Sequence, residues 1–266
     1  MAARADRNLG DLVSSELLTQ RDQPPGVPPL SLTGERTLPD VPAENYWYRR
    51  HLAVHEWICS RVAGLRVIDM ACGEGYGADL LASSAASVIG VEANPEAYEH
   101  AHLRYRRPNL RFERATIEAF TAPVDAIVLS QTIEHLANPA GVLTRFATLV
   151  GPGGVVFVST PNLLTIAAPG AAKSDNPWHL REYRAQEFAE LCSGIFARVE
   201  LYGVYHARKL ALHSLALRLG WDALHPRLRL TGAFYDRFVP AISTSDFRIA
   251  RGPLERALDF VAVLRT

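Results

Sequence analysis

Three groups of residues in this chain have the types and spacing that chemistry requires. The first is Asp69-Met70-Ala71-Cys72-Gly73-Glu74-Gly75-Tyr76-Gly77, an acid followed by three glycines at alternate positions. Glycine lets the backbone turn sharply and approach a ligand closely, and the N–H groups of a helix that starts there face it. Asp69, Gly73, Gly75 and Tyr76 are therefore cofactor-binding candidates. The second is Glu92-Ala93, at the end of Ser87-Val88-Ile89-Gly90-Val91. A carboxylate at that point accepts both hydroxyls of a ribose. The third is Ser130-Gln131-Thr132-Ile133-Glu134-His135-Leu136. Histidine titrates near neutrality and can take a proton from a hydroxyl. His135 is the candidate base, with Glu134 beside it and Gln131 on the cofactor side. The same pair could instead only cap the loop that follows.

These groups need a scaffold. Leu65 to Met70 reads as a buried strand, and Ser87 to Glu92, Leu110 to Arg114, Asp125 to Ser130 and Val155 to Thr160 read as further strands. Helical segments alternate with them, and Asn94-Pro95 and Asn138-Pro139 are helix starts of the Asn-cap, Pro-first type. Alternation of this kind predicts a parallel, doubly wound sheet. Its ligands lie beyond the carboxyl ends of the strands. Ala115-Thr116 then falls where an adenine edge is held. Ala185 to Cys192 reads as a helix closed by Gly194, Phe196 to Tyr202 as strand six, and Ala257 to Leu264 as strand seven.

Two further stretches leave strands on the same side. Asn176-Pro177-Trp178-His179-Leu180-Arg181-Glu182 follows strand five, and Gly203-Val204-Tyr205-His206 follows strand six. Each joins an aromatic face to a histidine. Trp178, His179, Glu182, Tyr205 and His206 are substrate-binding candidates, although local loop hydrogen bonds would also account for each histidine.

The chain has 266 residues, with 28 basic and 28 acidic side chains. A neutral balance does not advertise nucleic acid as a partner. The three cysteines are scattered and give neither a disulfide framework nor a metal-ligand spacing, so a reducing cytoplasm is expected. The N-terminus reads as no signal peptide, and no apolar run is long enough for a membrane span. A monomer or homodimer is expected.

The glycine turn, in its Asp-x-x-x-Gly-x-Gly form, resembles the S-adenosylmethionine (SAM) loop of class I methyltransferases more than a dinucleotide fingerprint, since Ala78 follows Gly77. Leu32-Thr33-Gly34-Glu35-Arg36-Thr37, Ile133-Glu134-His135-Leu136, Ser159-Thr160-Pro161-Asn162 and Asn176-Pro177-x-His179-x-Arg181-Glu182 occur together in methyltransferases of surface and storage glycans. With Glu44-Asn45-Tyr46-Trp47-Tyr48-Arg49-Arg50-His51, the chain is most similar to the actinobacterial methylmannose polysaccharide 1-O-methyltransferases. The resemblance covers roughly residues 31 to 206.

The strand pattern gives a Rossmann-like α/β sheet of seven strands, and chain order places over it a cap built from the N-terminal segment and a late insertion. The chain then divides into a weakly ordered arm (1–30), a SAM-binding domain (31–206), an insertion forming part of the cap (207–254) and the last strand (255–266). The resemblance implies SAM as cofactor, His135 as base and a saccharide acceptor. It also implies that the segments of Tyr46 and Arg36 close over cofactor and acceptor. Magnesium serves some glycan methyltransferases, but no clear carboxylate cluster is visible for it here, Glu134 and Glu182 being the nearest candidates. Two competing readings remain: a methyltransferase of a small phenolic or polyketide acceptor, and a non-catalytic methyltransferase-like partner subunit.

Overall fold

The computed structural model describes residues 18–221, 224–225 and 231–266. Its sheet has strands β1 (Arg66–Met70), β2 (Ser87–Glu92), β3 (Leu110–Arg114), β4 (Ala126–Ser130), β5 (Val155–Pro161), β6 (Arg198–His206), β7 (Phe247–Ala250) and β8 (Asp259–Arg265). The helices are α1 (Asn45–Cys59), α2 (Tyr76–Leu81), α3 (Pro95–Arg104), α4 (Pro139–Val150), α5 (Leu163–Ile166), α6 (Ala185–Ser193), α7 (Arg208–Arg218) and α8 (Thr231–Phe238). The strand order is β3-β2-β1-β4-β5-β8-β6-β7. Neighbours from β3 to β5 pair in parallel, and β8 pairs antiparallel with both β5 and β6.

The sheet has eight strands, not the expected seven. The extra one, β7, pairs antiparallel with Gly203–His206 at the edge. Four residues with an arginine among them carry little hydrophobic signal. Backbone pairing to a strand already in place makes it a strand.

Alternation sets the two faces of the sheet. Val67, Val128, Phe157 and Val263 enter one buried cluster, while Ile68, Ile127, Val156 and Leu264 enter the other. Both faces are covered, which explains why β4 and β5 read as unbroken apolar runs. The Asn caps form as expected. Asn94 Oδ1 accepts from Glu96 N and Ala97 N, and Asn138 Oδ1 accepts from Gly141 N.

Of the N-terminal arm, residues 1–17 lie outside the described residues, but 18–30 are packed rather than weakly ordered. Gln20 N bonds to Leu30 O at 3.0 Å, and Leu32 N to Leu18 O at 2.7 Å. Leu30, Leu38 and Val41 bury against Ala97 of α3. Glu74 of the glycine turn anchors this strap. It accepts hydrogen bonds from Gln20 Nε2 (3.1 Å) and Tyr105 OH (2.8 Å), and His100 Nε2 and Arg104 lie within 3.1 Å. No described helix is long and apolar enough to cross a membrane.

The described part of the late insertion does not cap the cavity. It supports the outer face of α1, where Asn45 Nδ2 donates to Val239 O and Ile242 O and Tyr46 packs on Phe247.

Candidate active site

A cavity of about 710 Å³ opens along the carboxyl ends of β1, β2, β4 and β5. Its floor is the glycine turn. Ala71, Gly73 and Gly75 all have positive φ, at 56°, 57° and 99°. At Gly73 a Cβ would meet no protein atom within 4 Å and would project into open space. At Gly75 it would lie 2.8 Å from the Ala101 Cβ, so this glycine serves close packing with α3 rather than ligand contact. Glu92 closes the turn from β2: its carboxylate accepts Gly73 N and Asn94 N, each at 2.8 Å. A smaller adjoining cavity of about 220 Å³ shares Ala71, Glu92 and Ala93, and adds Ala115, Thr116 and Leu136. The two spaces share Glu92 and Ala93, expected beside a ribose; Ala115-Thr116, expected at an adenine edge, line the smaller one.

The far end of the main cavity holds the acid–base groups. Gln131 has φ 50°, strain of the kind that collects at functional turns, and the short helix Ile133–His135 follows. His135 Nδ1 donates to the Trp178 carbonyl at 2.9 Å. The proton is thereby held on Nδ1, and the lone pair of Nε2 is free. Burial holds the His135 pKa below the ordinary imidazole value, so the neutral base predominates near pH 7. Glu134 is 1 % exposed, and Thr160 Oγ1 donates to it at 3.0 Å. Burial pushes its carboxyl up to about 8. Its Oε1 lies 4.0 Å from His135 Nε2.

His179 stacks edge-on to His135 with ring centroids 5.0 Å apart. Its nitrogens are already used. Asn176 Oδ1 accepts from Trp178 N, which orients Nδ2 toward His179 Nε2 at 3.1 Å. His179 Nδ1 donates to Glu182 at 2.6 Å. Burial alone would raise the Glu182 pKa, but bonds from His179 and Ser174 outweigh it and hold the group below the usual carboxylate range.

Glu134, His135 and His179 could bring one ligand atom each within 4.8 Å of one another. This set does not fit magnesium, which prefers oxygen donors. Two of the three are imidazoles, and His179 is engaged at both nitrogens. Glu182 is turned to His179 and Ser174, so it does not complete a carboxylate site.

The cavity brings together Arg36, Asp69, Gly73, Tyr76, Glu92, Ala93, Gln131, Glu134, His135 and His179 of the expected residues. Others fall elsewhere. Tyr46 is 1 % exposed on the opposite side of α1, and its hydroxyl bonds His206 Nε2 at 2.7 Å. His206 is the last residue of β6 rather than part of a loop. Its Nδ1 bonds Ser214, and burial lowers its pKa to about 3. Tyr205 packs its ring against Gly203 and Gly252. Trp178 is 44 % exposed beside Gly34, and contributes its carbonyl to the site rather than its ring. Glu182 acts through His179.

Other lining residues are unexpected: Glu44, Trp47, His51, His55 and Asp259. Four of them recur at helical spacing along α1 and its entry, so the 3.6-residue period marks them as one face. Asp259 is held from behind by Arg50, through two bonds of 2.7 and 2.6 Å.

Comparison with known proteins agrees with this geometry. A family profile described as a methyltransferase domain matches residues 4–215. A probable S-adenosylmethionine-dependent methyltransferase of Mycolicibacterium smegmatis is 38 % identical over 245 residues, spanning 88 % of this chain and 94 % of its own. One from Mycobacterium tuberculosis is 35 % identical over 240 residues, 86 % of each chain. A ubiquinone biosynthesis O-methyltransferase of Albidiferax ferrireducens is 35 % identical over 159 residues, 53 % of this chain and 63 % of its own. In fold, the chain is similar to a SAM-dependent methyltransferase of Thermotoga maritima, described as a possible histamine N-methyltransferase. The TM-score is 0.56 at 14 % identity, covering 83 % and 93 % of the two chains. With the glycine turn, the Glu92 carboxylate and the paired cavities in place, the chain belongs to the methyltransferase-domain family and is a SAM-dependent methyltransferase.

Proposed function

We propose that this enzyme methylates a hydroxyl of a saccharide, oligomannoside-like in kind, with His135 as general base. Bound SAM supplies an electrophilic methyl carbon on a sulfonium centre. Everything else falls to the chain: to align an acceptor oxygen with that carbon, and to remove its proton. The observation that carries the reading is the 2.9 Å bond from His135 Nδ1 to the Trp178 carbonyl. It leaves Nε2 as the basic nitrogen on a residue lining the cavity. The acceptor end offers the hydrogen-bonding groups of Glu44, Asp175 and Asn176 and the ring of Trp47. Carboxylates and amides accept and donate to hydroxyls, and an indole face suits the C–H surface of a sugar.

The similarity to a ubiquinone biosynthesis O-methyltransferase favours a second reading, a phenolic acceptor. The same base would serve it. Steady-state kinetics on mannosides of increasing length, run beside a panel of catechols and other phenols, tests the choice. Turnover that improves with mannoside length supports the saccharide reading. Faster turnover of the phenols, or no turnover of any saccharide, replaces it with the second.

A further inference from the structure

Arg36 is the only Lys or Arg among the described residues that line the main cavity, whereas eight of those residues are Asp or Glu. Its side chain is 14 % exposed. Its only polar partner among the described residues is the neighbouring Glu35, at 3.7 Å, and it makes no hydrogen bond. A guanidinium has five N–H donors in a fixed fork, and burying it without acceptors is costly. An unsatisfied fork facing a cavity is poised for a planar anion.

The position says which anion. With the ribose at Glu92 and the base at Ala115-Thr116, the amino-acid tail of SAM must extend the other way along the glycine turn. Thr37, next to Arg36, is fixed there: its Oγ1 lies 3.1 Å from Tyr76 OH and 3.3 Å from His51 Nδ1. Tyr76 begins α2 immediately after the turn. The strap that carries Arg36 is tied to the same turn through Glu74. The carboxylate is the one anionic group of SAM, and the surrounding acids suit its ammonium and sulfonium.

We infer that Arg36 is the receptor for the methionine carboxylate of SAM, delivered to the cavity by the N-terminal strap. The inference rests on the cofactor and not on the identity of the acceptor. It also reassigns a residue that the sequence places with the substrate.

Calorimetry with three ligands tests it. These are S-adenosylhomocysteine, its decarboxylated analogue, and 5′-methylthioadenosine, which lacks the amino-acid tail. Arg36→Ala should weaken S-adenosylhomocysteine about 10- to 100-fold, the range for a charged hydrogen bond. It should leave 5′-methylthioadenosine within about twofold. Arg36→Lys should fall between, because an ammonium lacks the fork. Wild-type protein should bind the decarboxylated analogue about 10- to 100-fold more weakly than S-adenosylhomocysteine, a comparison that needs no variant. Equal losses for all three ligands would mean a structural role. Unchanged S-adenosylhomocysteine binding with a raised KM for the acceptor would move Arg36 to the acceptor, and either result overturns the inference.

Discussion

The Trp178 carbonyl decides which nitrogen of His135 is basic. It accepts a hydrogen bond from Nδ1–H at 2.9 Å, and Nε2 is left as the acceptor. Trp178 belongs to the loop that also holds Asn176 and His179; Asn176 bonds His179, and His179 bonds Glu182, which keeps the loop in place. The His135 imidazole is therefore oriented by backbone, and the ring of Trp178 is dispensable to that task.

His135→Ala should keep SAM affinity and lose about 10²–10⁴-fold in turnover, the usual worth of a general base. In the wild type, turnover should fall at low pH with an apparent pKa below about 6.5, because burial favours the neutral ring. Trp178→Ala should retain most of the His135-dependent rate, as the carbonyl stays. A flat pH profile together with near-normal turnover in His135→Ala would place proton removal elsewhere. His179 is a poor substitute, with both nitrogens engaged, and His206 lies outside the cavity.

The glycines of the turn should separate by mechanism. Gly75→Ala forces its Cβ to 2.8 Å from Ala101 at φ 99°, so the cost appears as a lower melting temperature. Gly73→Ala meets only open space, at the expense of about 1–2 kcal/mol for a left-handed residue. Its main effect should be weaker SAM binding, because the methyl occupies ligand space. Calorimetry and thermal melts on both variants measure this. Unaltered SAM affinity in Gly73→Ala would remove the turn from the cofactor site.

Glu134 should make stability depend on pH. Its native pKa is raised to about 8 from an ordinary 4.5. Between those values the native state holds a proton that the unfolded chain has lost. Stability therefore falls as pH rises, by up to about 1.4 kcal/mol per unit from this group. Glu134→Gln imitates the protonated acid and removes that slope. Urea unfolding at pH 5, 6.5 and 8 should show the variant gaining on wild type as pH rises. A constant difference across the three pH values would mean that Glu134 is ionised in the fold.

Local chemistry was legible in the residues. Asn94-Pro95 and Asn138-Pro139 cap helices through contacts two or three residues away, and Leu110–Arg114 forms the strand expected there, with Phe112 buried. The glycine turn, Glu92 and His135 were legible because each follows a strand end. What failed depended on orientation or on distant partners. Tyr46 and Trp47 are neighbours in sequence, but helical rotation sends one to His206 and the other to the cavity. The strap at 18–41 has few apolar residues, and its order comes from Glu74, which it meets only after folding. The insertion was expected over the site on chain order alone, whereas its described residues pack behind α1.

The charge of the cavity bears on acceptor choice. Eight lining residues are Asp or Glu; Arg50 pairs with Asp259 and Arg104 with Glu74 from outside the lining, which leaves six acids against Arg36, and Arg36 is committed if it holds the cofactor's carboxylate. An acceptor bearing a phosphate or uronate would enter a field of its own sign, whereas a neutral mannoside exchanges water for hydrogen bonds with no such penalty. At a separation near 6 Å and an effective dielectric constant of about 20, one like-charge pair costs on the order of 3 kcal/mol before screening by salt. Two of the acids titrate within reach. Burial raises Glu44 to about 7 and Glu134 to about 8, so both are largely protonated at pH 6 and ionised at pH 9. The cavity becomes more negative across that range. The ratio of kcat/KM for a neutral mannoside to that for the same sugar carrying a phosphate should be at least about tenfold at pH 7. It should widen as pH rises, and shrink as salt is added. His135 serves both acceptors alike, so its own titration enters both rates and largely cancels from the ratio. Glu44→Gln should flatten part of the pH dependence without changing SAM affinity. Equal use of the two sugars at every pH would mean that the acceptor approaches outside this field, and that the polar end of the cavity does not read it.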